Sequence, residues 1–182
     1  NDLVYEVLLT NAGSFFGTGN KNLLTGPDSG LSVYSLANAI AKMRTQRDAE
    51  HNDLDLKPAV LLVAPELETT ARAVLESEYI TREADEPTGN SLRQAVKLEV
   101  EPRLSNSDKF GANADKDRWY LFADPSAVAM VVGFLNGKQT PTIEYFGLDQ
   151  DVNRLAVAWR VYHDFGAALV DPRAAVRSKG EA

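Results

Sequence analysis

The chain has 182 residues, of which 44% are hydrophobic, enough for one core or for one core with a satellite subdomain. Its formal charge of −7 argues against sequence-specific binding of DNA or RNA, which needs a basic surface. The absence of cysteine excludes disulfides, thiolate metal ligands and a cysteine nucleophile, and the two histidines, His51 and His163, are too few for a histidine-rich metal centre.

The first third of the chain is predicted to contain two helices separated by a loop. The apolar residues of Asp2–Thr10 share one helical face. Residues 11–30 carry five glycines with several Asn, Ser and Thr, which is typical of a loop. Its GTGNKN segment lacks a preceding strand and a following Lys-Ser or Lys-Thr, so we predict no phosphate site there. Ser29 or Ser32 can cap the second helix, whose apolar positions are Val33, Leu36, Ile40 and Met43.

The central unit is a strand that passes directly into an amphipathic helix. Ala59–Ala64 is a short apolar run between Pro58 and Pro65, typical of a strand buried on both faces. Pro65 suits the first helical turn, and one apolar stripe follows it at Leu67, Ala71, Val74 and Leu75. Such a helix has to pack on a sheet, so the chain is predicted to be α/β or α+β. The unit is interpreted as scaffold because its junction carries no nucleophile.

Further strands are predicted in the middle of the chain. Val96, Leu98 and Val100 alternate with Lys97, Glu99 and Glu101, and this charged face is either solvent surface or contacts another subunit. Trp119–Ala123 is a second buried strand. Ala127–Leu135 is interpreted as a strand because Asn136-Gly137 is a tight-turn signal, and it is too short to span a membrane. Ile80–Gln94 and Ser105–Arg118 are predicted to be polar loops, and Pro141–Leu148 an irregular aromatic connection.

The last part of the chain is predicted to be a β-hairpin. Alternation over 155–162 indicates a long strand with an apolar inner face, His163–Gly166 makes the turn, and the return strand runs from Ala167 toward Val176. His163 and Asp164 are adjacent, so in a strand they would point to opposite faces, and no G-x-S-x-G motif accompanies them. The segments NADKD (113–117) and DQDVN (149–153) fail the calcium-loop rule at positions six and twelve. We therefore predict no catalytic, cofactor-binding or metal-binding residues.

The order and spacing of five segments resemble the major capsid protein of tailed phages, and specifically the Mu-like prophage major head subunit family. The segments are AVLLVAPELETTARAVLESE (59–78), LEVEPRLS (98–105), RWYLFADPSAV (118–128), FLNGKQTPTIE (134–144) and WRVYHDFGAALVDPRAAVRS (159–178). The similarity covers most of the chain and is looser over Asn11–Asn52.

This resemblance implies an α+β fold of the phage major capsid (Hong Kong ninety-seven) type. It assigns residues 1–58 to the end of the spine helix, a loop and a covering helix. Residues 59–150 would form an axial domain with a mixed sheet and flanking helices. Residues 151–182 would form a return hairpin of the peripheral domain. The N-terminal arm, the extended loop and most of the spine helix have no counterpart. We therefore expect a C-terminal fragment that is a monomer or weak oligomer unless the missing N-terminal portion is restored.

The resemblance also implies a function. The chain would be a structural subunit of a viral (prophage) capsid shell that self-assembles into pentamers and hexamers around double-stranded DNA, with no enzymatic activity and no cofactor. Partners would be other copies of itself and possibly scaffold, protease, portal and decoration proteins, but neither a membrane nor a specific nucleic-acid sequence. It would be found in the virion, and in the host cytoplasm during assembly. An acidic shell lining would also avoid binding the enclosed phosphates.

Two alternatives remain open from the sequence. The first is an α/β enzyme or small-ligand binding domain, for which His163, Asp164, Glu99 and Glu101 would be the candidate residues. The second is a nanocompartment shell protein with the same fold.

Overall fold

The computed structural model describes residues 2–81, 87–147 and 157–181, and within them the fold is mixed α+β, as predicted. The helices are α1 (Asp2–Leu9), α2 (Val33–Arg44), α3 (Glu68–Glu76) and α4 (Ser107–Phe110). The strands are β1 (Leu23–Leu24), β2 (Pro58–Val63), β3 (Tyr79–Thr81), β4 (Pro87–Gly89), β5 (Lys97–Val100), β6 (Trp119–Ala123), β7 (Met130–Phe134), β8 (Thr142–Phe146), β9 (Ala158–Tyr162), β10 (Phe165–Leu169) and β11 (Ala175–Ser178).

A five-stranded mixed sheet in the order β1-β11-β6-β2-β5 forms the centre of the molecule. The β1–β11 and β2–β5 pairs are parallel, and the pairs that β6 makes with β11 and β2 are antiparallel. Leu61 and Leu121 face each other across β2 and β6 and are fully buried, which confirms the two predicted apolar strands. The predicted alternation in β5 is also present, with Leu98 and Val100 packed against the core and Lys97 and Glu99 exposed.

The two faces of this sheet are covered by different segments. On one face, Trp119 Nε1 and Ser178 Oγ both donate hydrogen bonds to the carbonyl oxygen of Ser29, at 3.1 and 2.6 Å. On the other face, the ring of Phe16 packs against Tyr120, with the ring centroids 5.5 Å apart. The segment predicted to be a loop, 11–30, therefore contributes to the core at both faces.

The predicted helices α2 and α3 both form, and their ends explain their positions. Ser32 caps α2, because its hydroxyl accepts from the Ser35 N–H while the Ser35 hydroxyl accepts from the Ser32 N–H. α3 follows a short turn that starts at Pro65 and buries Ala71, Val74 and Leu75. At its end, the Asn90 side chain donates to the carbonyls of Val74 and Ser77, at 2.7 and 3.0 Å, which satisfies two carbonyls that the helix leaves free.

Two antiparallel pairs, β7–β10 and β8–β9, extend from the sheet as one two-stranded ribbon. The predicted hairpin of 155–163 with 167–176 is therefore wrong: β9 pairs with β8, β10 pairs with β7, and β11 pairs with β6. His163 and Asp164 connect β9 to β10 along the same side of the ribbon. The opposite side is interrupted by 135–141, where Asn136 and Gly137 adopt left-handed φ values of 52° and 69° and form the predicted turn.

The structure corrects three further predictions. Thr142–Phe146 is a regular strand and not an irregular connection. All five residues of β9 are exposed, so this strand has no buried inner face. Both predicted loops contain regular structure, because β3 and β4, which form an antiparallel pair, overlap Ile80–Gln94 and α4 lies within Ser105–Arg118.

Some predictions concern residues outside the described part of the chain. These are 82–86 of the first polar loop, the DQDVN segment at 149–153, and the start of the strand predicted from Leu155.

Among the residues that the structure describes, no helix is long and apolar enough to cross a bilayer.

Candidate assembly surface

The large exposed hydrophobic side chains are concentrated on and around the ribbon. Of the fifteen such side chains in the described residues, twelve lie between Val128 and Val170. Exposed apolar patches on soluble proteins often mark contacts with other molecules. The ribbon is therefore the candidate functional surface.

The outer part of the ribbon has one face that is almost entirely apolar. Ile143 lies opposite Val161, and Tyr145 lies opposite Trp159, two positions along the same strands, so all four side chains share a face. Each is between 57% and 66% exposed. The Tyr145 and Trp159 rings contact each other, with their centroids 4.7 Å apart. We call these four residues the apolar ribbon face.

The opposite face of β8–β9 carries an ion pair that links the two strands. Arg160 Nε donates to Glu144 Oε2 at 2.7 Å, and these two residues are directly opposite each other in the ladder. The Arg160 guanidinium also lies over the Phe146 ring, 5.4 Å from its centroid. The strand pair is thus held by contacts that leave its apolar side free.

The inner part of the ribbon is attached to the body of the molecule. Met130 and Leu169 are paired and pack against the core, and α1 packs against β10. The His163 ring stacks on Phe134 at 5.6 Å and contacts Phe165 at 5.1 Å, at the place where β9 passes into β10. These aromatic contacts fix the junction between the two halves of the ribbon.

An ionic cluster connects α1 to the segment after β5. Asp2 accepts a hydrogen bond from Arg103 Nε at 2.7 Å and pairs with Lys109, while Arg103 Nη1 donates to Glu101 at 2.8 Å. Hydrogen bonds from Arg103 and then Lys109 lower the pKa of Asp2 to about 2. Burial, followed by the hydrogen bond to Glu101, raises the pKa of Tyr5 to about 12. We call Asp2, Glu101, Arg103 and Lys109 the α1 brace.

The α1 brace is expected to weaken in acid. A carboxyl whose pKa is lowered by folding contributes stability above its ordinary value of about 4, and this contribution is lost as the pH falls through about 2. Asp2→Asn should therefore lower the melting temperature at pH 6, and the difference from the unsubstituted protein should disappear toward pH 2. Thermal unfolding between pH 2 and 6 measures this, with the exposed Asp28→Asn as control. A difference that does not change with pH would contradict the role given to Asp2.

The four residues considered for an enzyme or ligand site have different surroundings. Glu99 pairs with Lys97 at 2.5 Å on the exposed side of β5, and Glu101 belongs to the α1 brace. His163 and Asp164 line a shallow recess of about 210 Å³ at the ribbon junction. The four residues do not converge on one pocket. Among the described residues, no group of three or more histidines and carboxylates is placed to hold a metal ion.

The apolar ribbon face was missed by reasoning from the sequence. The signal was present, because Ile143 and Tyr145 alternate with Thr142, Glu144 and Phe146 over Thr142–Phe146. The prediction of an irregular aromatic connection over Pro141–Leu148 passed over this alternation.

Comparisons with known proteins concern the whole chain. A family model described as phage capsid protein matches residues 1–178. A search of curated proteins gave no significant match.

Three solved structures are similar to the chain over nearly its whole length. A chain of Mycobacterium phage Che8 is 16% identical, with a TM-score of 0.51, over 98% of this chain and 57% of that one. The virus-like particle from Pyrococcus furiosus is 17% identical, with a TM-score of 0.46, over 98% and 61%. A phage-related protein from Bordetella bronchiseptica is 11% identical, with a TM-score of 0.49, over 97% and 61%. The likeness to the Che8 chain shows a similar fold. The chain spans 57–61% of the length of these structures.

Proposed function

Because this chain belongs to the phage capsid protein family, we propose that it is a structural subunit of a viral shell and acts by associating with copies of itself. The family is structural and non-enzymatic, which confirms the prediction that the chain is not an enzyme. Family membership supports a capsid-subunit role and a place in the virion.

The apolar ribbon face is the observation that carries this proposal. A two-stranded ribbon has little stability of its own in water, and this one leaves Ile143, Tyr145, Trp159 and Val161 without cover. A shell is built from the same contact repeated between identical subunits. Covering the apolar ribbon face with a neighbouring copy would stabilise both the ribbon and the shell.

The proposal extends to the finer features that the resemblance implies. We propose a Hong Kong ninety-seven type fold, a Mu-like prophage origin, and rings of five and six subunits around double-stranded DNA. Scaffold, protease, portal and decoration proteins would be partners during assembly in the host cytoplasm. The excess of acidic residues, with 26 Asp and Glu against 19 Lys and Arg, is compatible with a lining that does not bind the enclosed DNA.

The domain division is also part of the proposal. An axial domain within 59–150 would contain β2, β5 and β6, with 1–58 beside it, and a peripheral domain within 151–182 would contain β9 and β10. One refinement follows from the pairing of strands. β11 pairs with β6, so we assign β11 to the axial domain, and we assign β7 and β8 to the peripheral domain together with their partners in the ribbon.

Self-association can be tested with the two tryptophans as reporters. Trp119 is buried, whereas Trp159 is 66% exposed, so only Trp159 can change its surroundings when copies associate. Sedimentation velocity over rising protein concentration should show growing mass, and the Trp159 emission should shift to shorter wavelength in parallel. A single monomeric species with unchanged emission over the whole range would contradict the proposed use of the apolar ribbon face.

The content of assembled particles distinguishes the remaining alternative. A virion shell should contain double-stranded DNA that is protected from added nuclease. Particles that enclose protein and no DNA would instead favour a nanocompartment.

A further inference from the structure

The apolar ribbon face can be covered well only by another apolar surface. Packing it against charged or polar groups would remove water from those groups without replacing their hydrogen bonds, which costs free energy. Outside residues 128–170, only three large hydrophobic side chains of the described residues are exposed, Leu3, Tyr34 and Tyr79, and they lie on three different elements, α1, α2 and β3. The main apolar surface that a second copy can offer is therefore its own ribbon.

The charge distribution also favours a contact between two ribbons. The described ribbon residues, 130–147 and 157–170, contain two cations and two carboxylates, namely Lys138, Arg160, Glu144 and Asp164. These charges cancel, so the formal excess of −7 lies in the rest of the chain. Two copies that meet through their ribbons bring neutral surfaces together, whereas their acidic bodies repel each other.

Pairing through faces, and not through edges, covers the exposed side chains. Among the described strands, β8 and β9 pair only with each other, so each has an open edge. Adding a strand to that edge would supply hydrogen bonds, but side chains project above and below a sheet, so the apolar ribbon face would remain in water. Packing two such faces as the two layers of a β-sandwich would cover the apolar side chains of both copies.

The sizes of the four side chains favour one arrangement of the two faces. Along the strands, the rings of Tyr145 and Trp159 form one half of the face, and the β-branched Ile143 and Val161 form the other half. A two-fold axis that runs across the strands reverses this order in the second copy, so rings pack against β-branched side chains. Large side chains against small ones fill the space between the layers, whereas rings against rings would leave a gap beside them.

We propose that two copies pack their apolar ribbon faces against each other about a two-fold axis that runs across the ribbon strands. This pairing rests on the proposed self-association and names the surface that each copy offers to the other. Such a contact is isologous and closes with two copies, so within a shell it would join subunits in pairs, and contacts within a ring would use other surfaces. Four residues are few compared with the roughly 20–30 residues a side of a standard interface, so the isolated pair should be weak.

Cysteine cross-linking tests this arrangement without background, because the chain contains no cysteine. In the proposed pair, position 143 of one copy faces position 145 of the other. An equimolar mixture of Ile143→Cys and Tyr145→Cys should therefore form disulfide-linked dimers several-fold faster than either variant alone. The matched control mixes Ile143→Cys with Tyr34→Cys, whose position on α2 is similarly exposed, and should cross-link slowly. In sedimentation velocity, a dimer should be the first associated species of the unsubstituted chain.

Three results would overturn the two-fold pairing. Cross-linking of the control mixture as fast as the test mixture would mean that the disulfides form by random collision. Equal rates for the test mixture and for each variant alone would mean that the faces do not pack in the proposed order. Trimers and larger species that appear together with the dimer would mean that the contact is heterologous. Each of these results leaves self-association standing, whereas a chain that stays monomeric at every concentration contradicts both the pairing and the proposed function.

Discussion

Replacing both Ile143 and Trp159 by aspartate is expected to abolish self-association while the melting temperature of the sheet stays unchanged. Both side chains are largely exposed in the single chain, so their loss costs the fold little. In a contact between copies both side chains would be buried, and the burial of each would contribute roughly 1.5–3 kcal/mol to the free energy of association. Losing both should weaken the contact about a hundredfold or more, and two buried carboxylates would weaken it further. Sedimentation velocity of the double variant measures this.

The matched control is an aspartate on another part of the surface. Tyr34 is 71% exposed on α2, outside the ribbon, so Tyr34→Asp adds the same charge and removes a comparable ring. Association should persist in this variant. If Tyr34→Asp weakened association as much as the double substitution does, general charge repulsion would be the cause, and the apolar ribbon face would not be the contact.

Trp119→Ala is expected to be the most destabilising single substitution considered, with a loss of about 3–5 kcal/mol in the free energy of unfolding. Trp119 is fully buried in β6, the middle strand of the five-stranded sheet, and its Nε1 donates to the Ser29 carbonyl. The substitution removes this hydrogen bond and leaves a cavity between the sheet and the 26–30 segment. Urea unfolding followed by circular dichroism measures the change.

Trp119→Phe separates the two contributions. It keeps much of the buried volume and loses the N–H, while the Ser29 carbonyl still accepts from Ser178 Oγ at 2.6 Å. We therefore expect a smaller loss than for alanine. Equal losses for Phe and Ala would mean that the cavity is not the main cost at this position.

The elements of the sheet could be predicted because local patterns determine them. The apolar run before Pro65, the stripe that ends at Leu75 and the alternation in β5 each depend on burial within the chain itself. Ser32 could be proposed as a cap because a serine hydroxyl satisfies helix N–H groups wherever a helix begins. The pairing order β1-β11-β6-β2-β5 could not be predicted, because it joins strands that are distant in the sequence.

The hairpin prediction failed for a related reason. A short polar turn between two apolar strands favours a hairpin locally, yet His163 and Asp164 simply carry the chain from β9 to β10. The actual partners, β8 and β7, pair through opposed side chains such as Glu144 with Arg160 and Phe134 with Phe165. Cross-strand contacts of this kind decide which strands pair and in which register. The pattern of residues along one strand does not reveal these contacts.

The apolar ribbon face also shows why burial was wrongly predicted in β9. Alternation in a strand indicates that one face avoids water, but it does not say whether the cover comes from the same chain or from another molecule. The alternation predicts that Trp159 and Val161 lie on an inner face of the strand, whereas both lie on the surface. A pattern that is right about hydrophobic contact can thus be wrong about which molecule supplies it.

The position of β11 in the sheet has a consequence for synthesis on the ribosome. β11 fills the place between β1 and β6, so both neighbouring strands present an open edge until residues 175–178 have been translated. The apolar ribbon strands emerge before that point. The nascent polypeptide therefore exposes unpaired strand edges and apolar side chains at the same time. The sheet can be completed only once β11 has been synthesised. Chaperones protect such incompletely folded chains against aggregation.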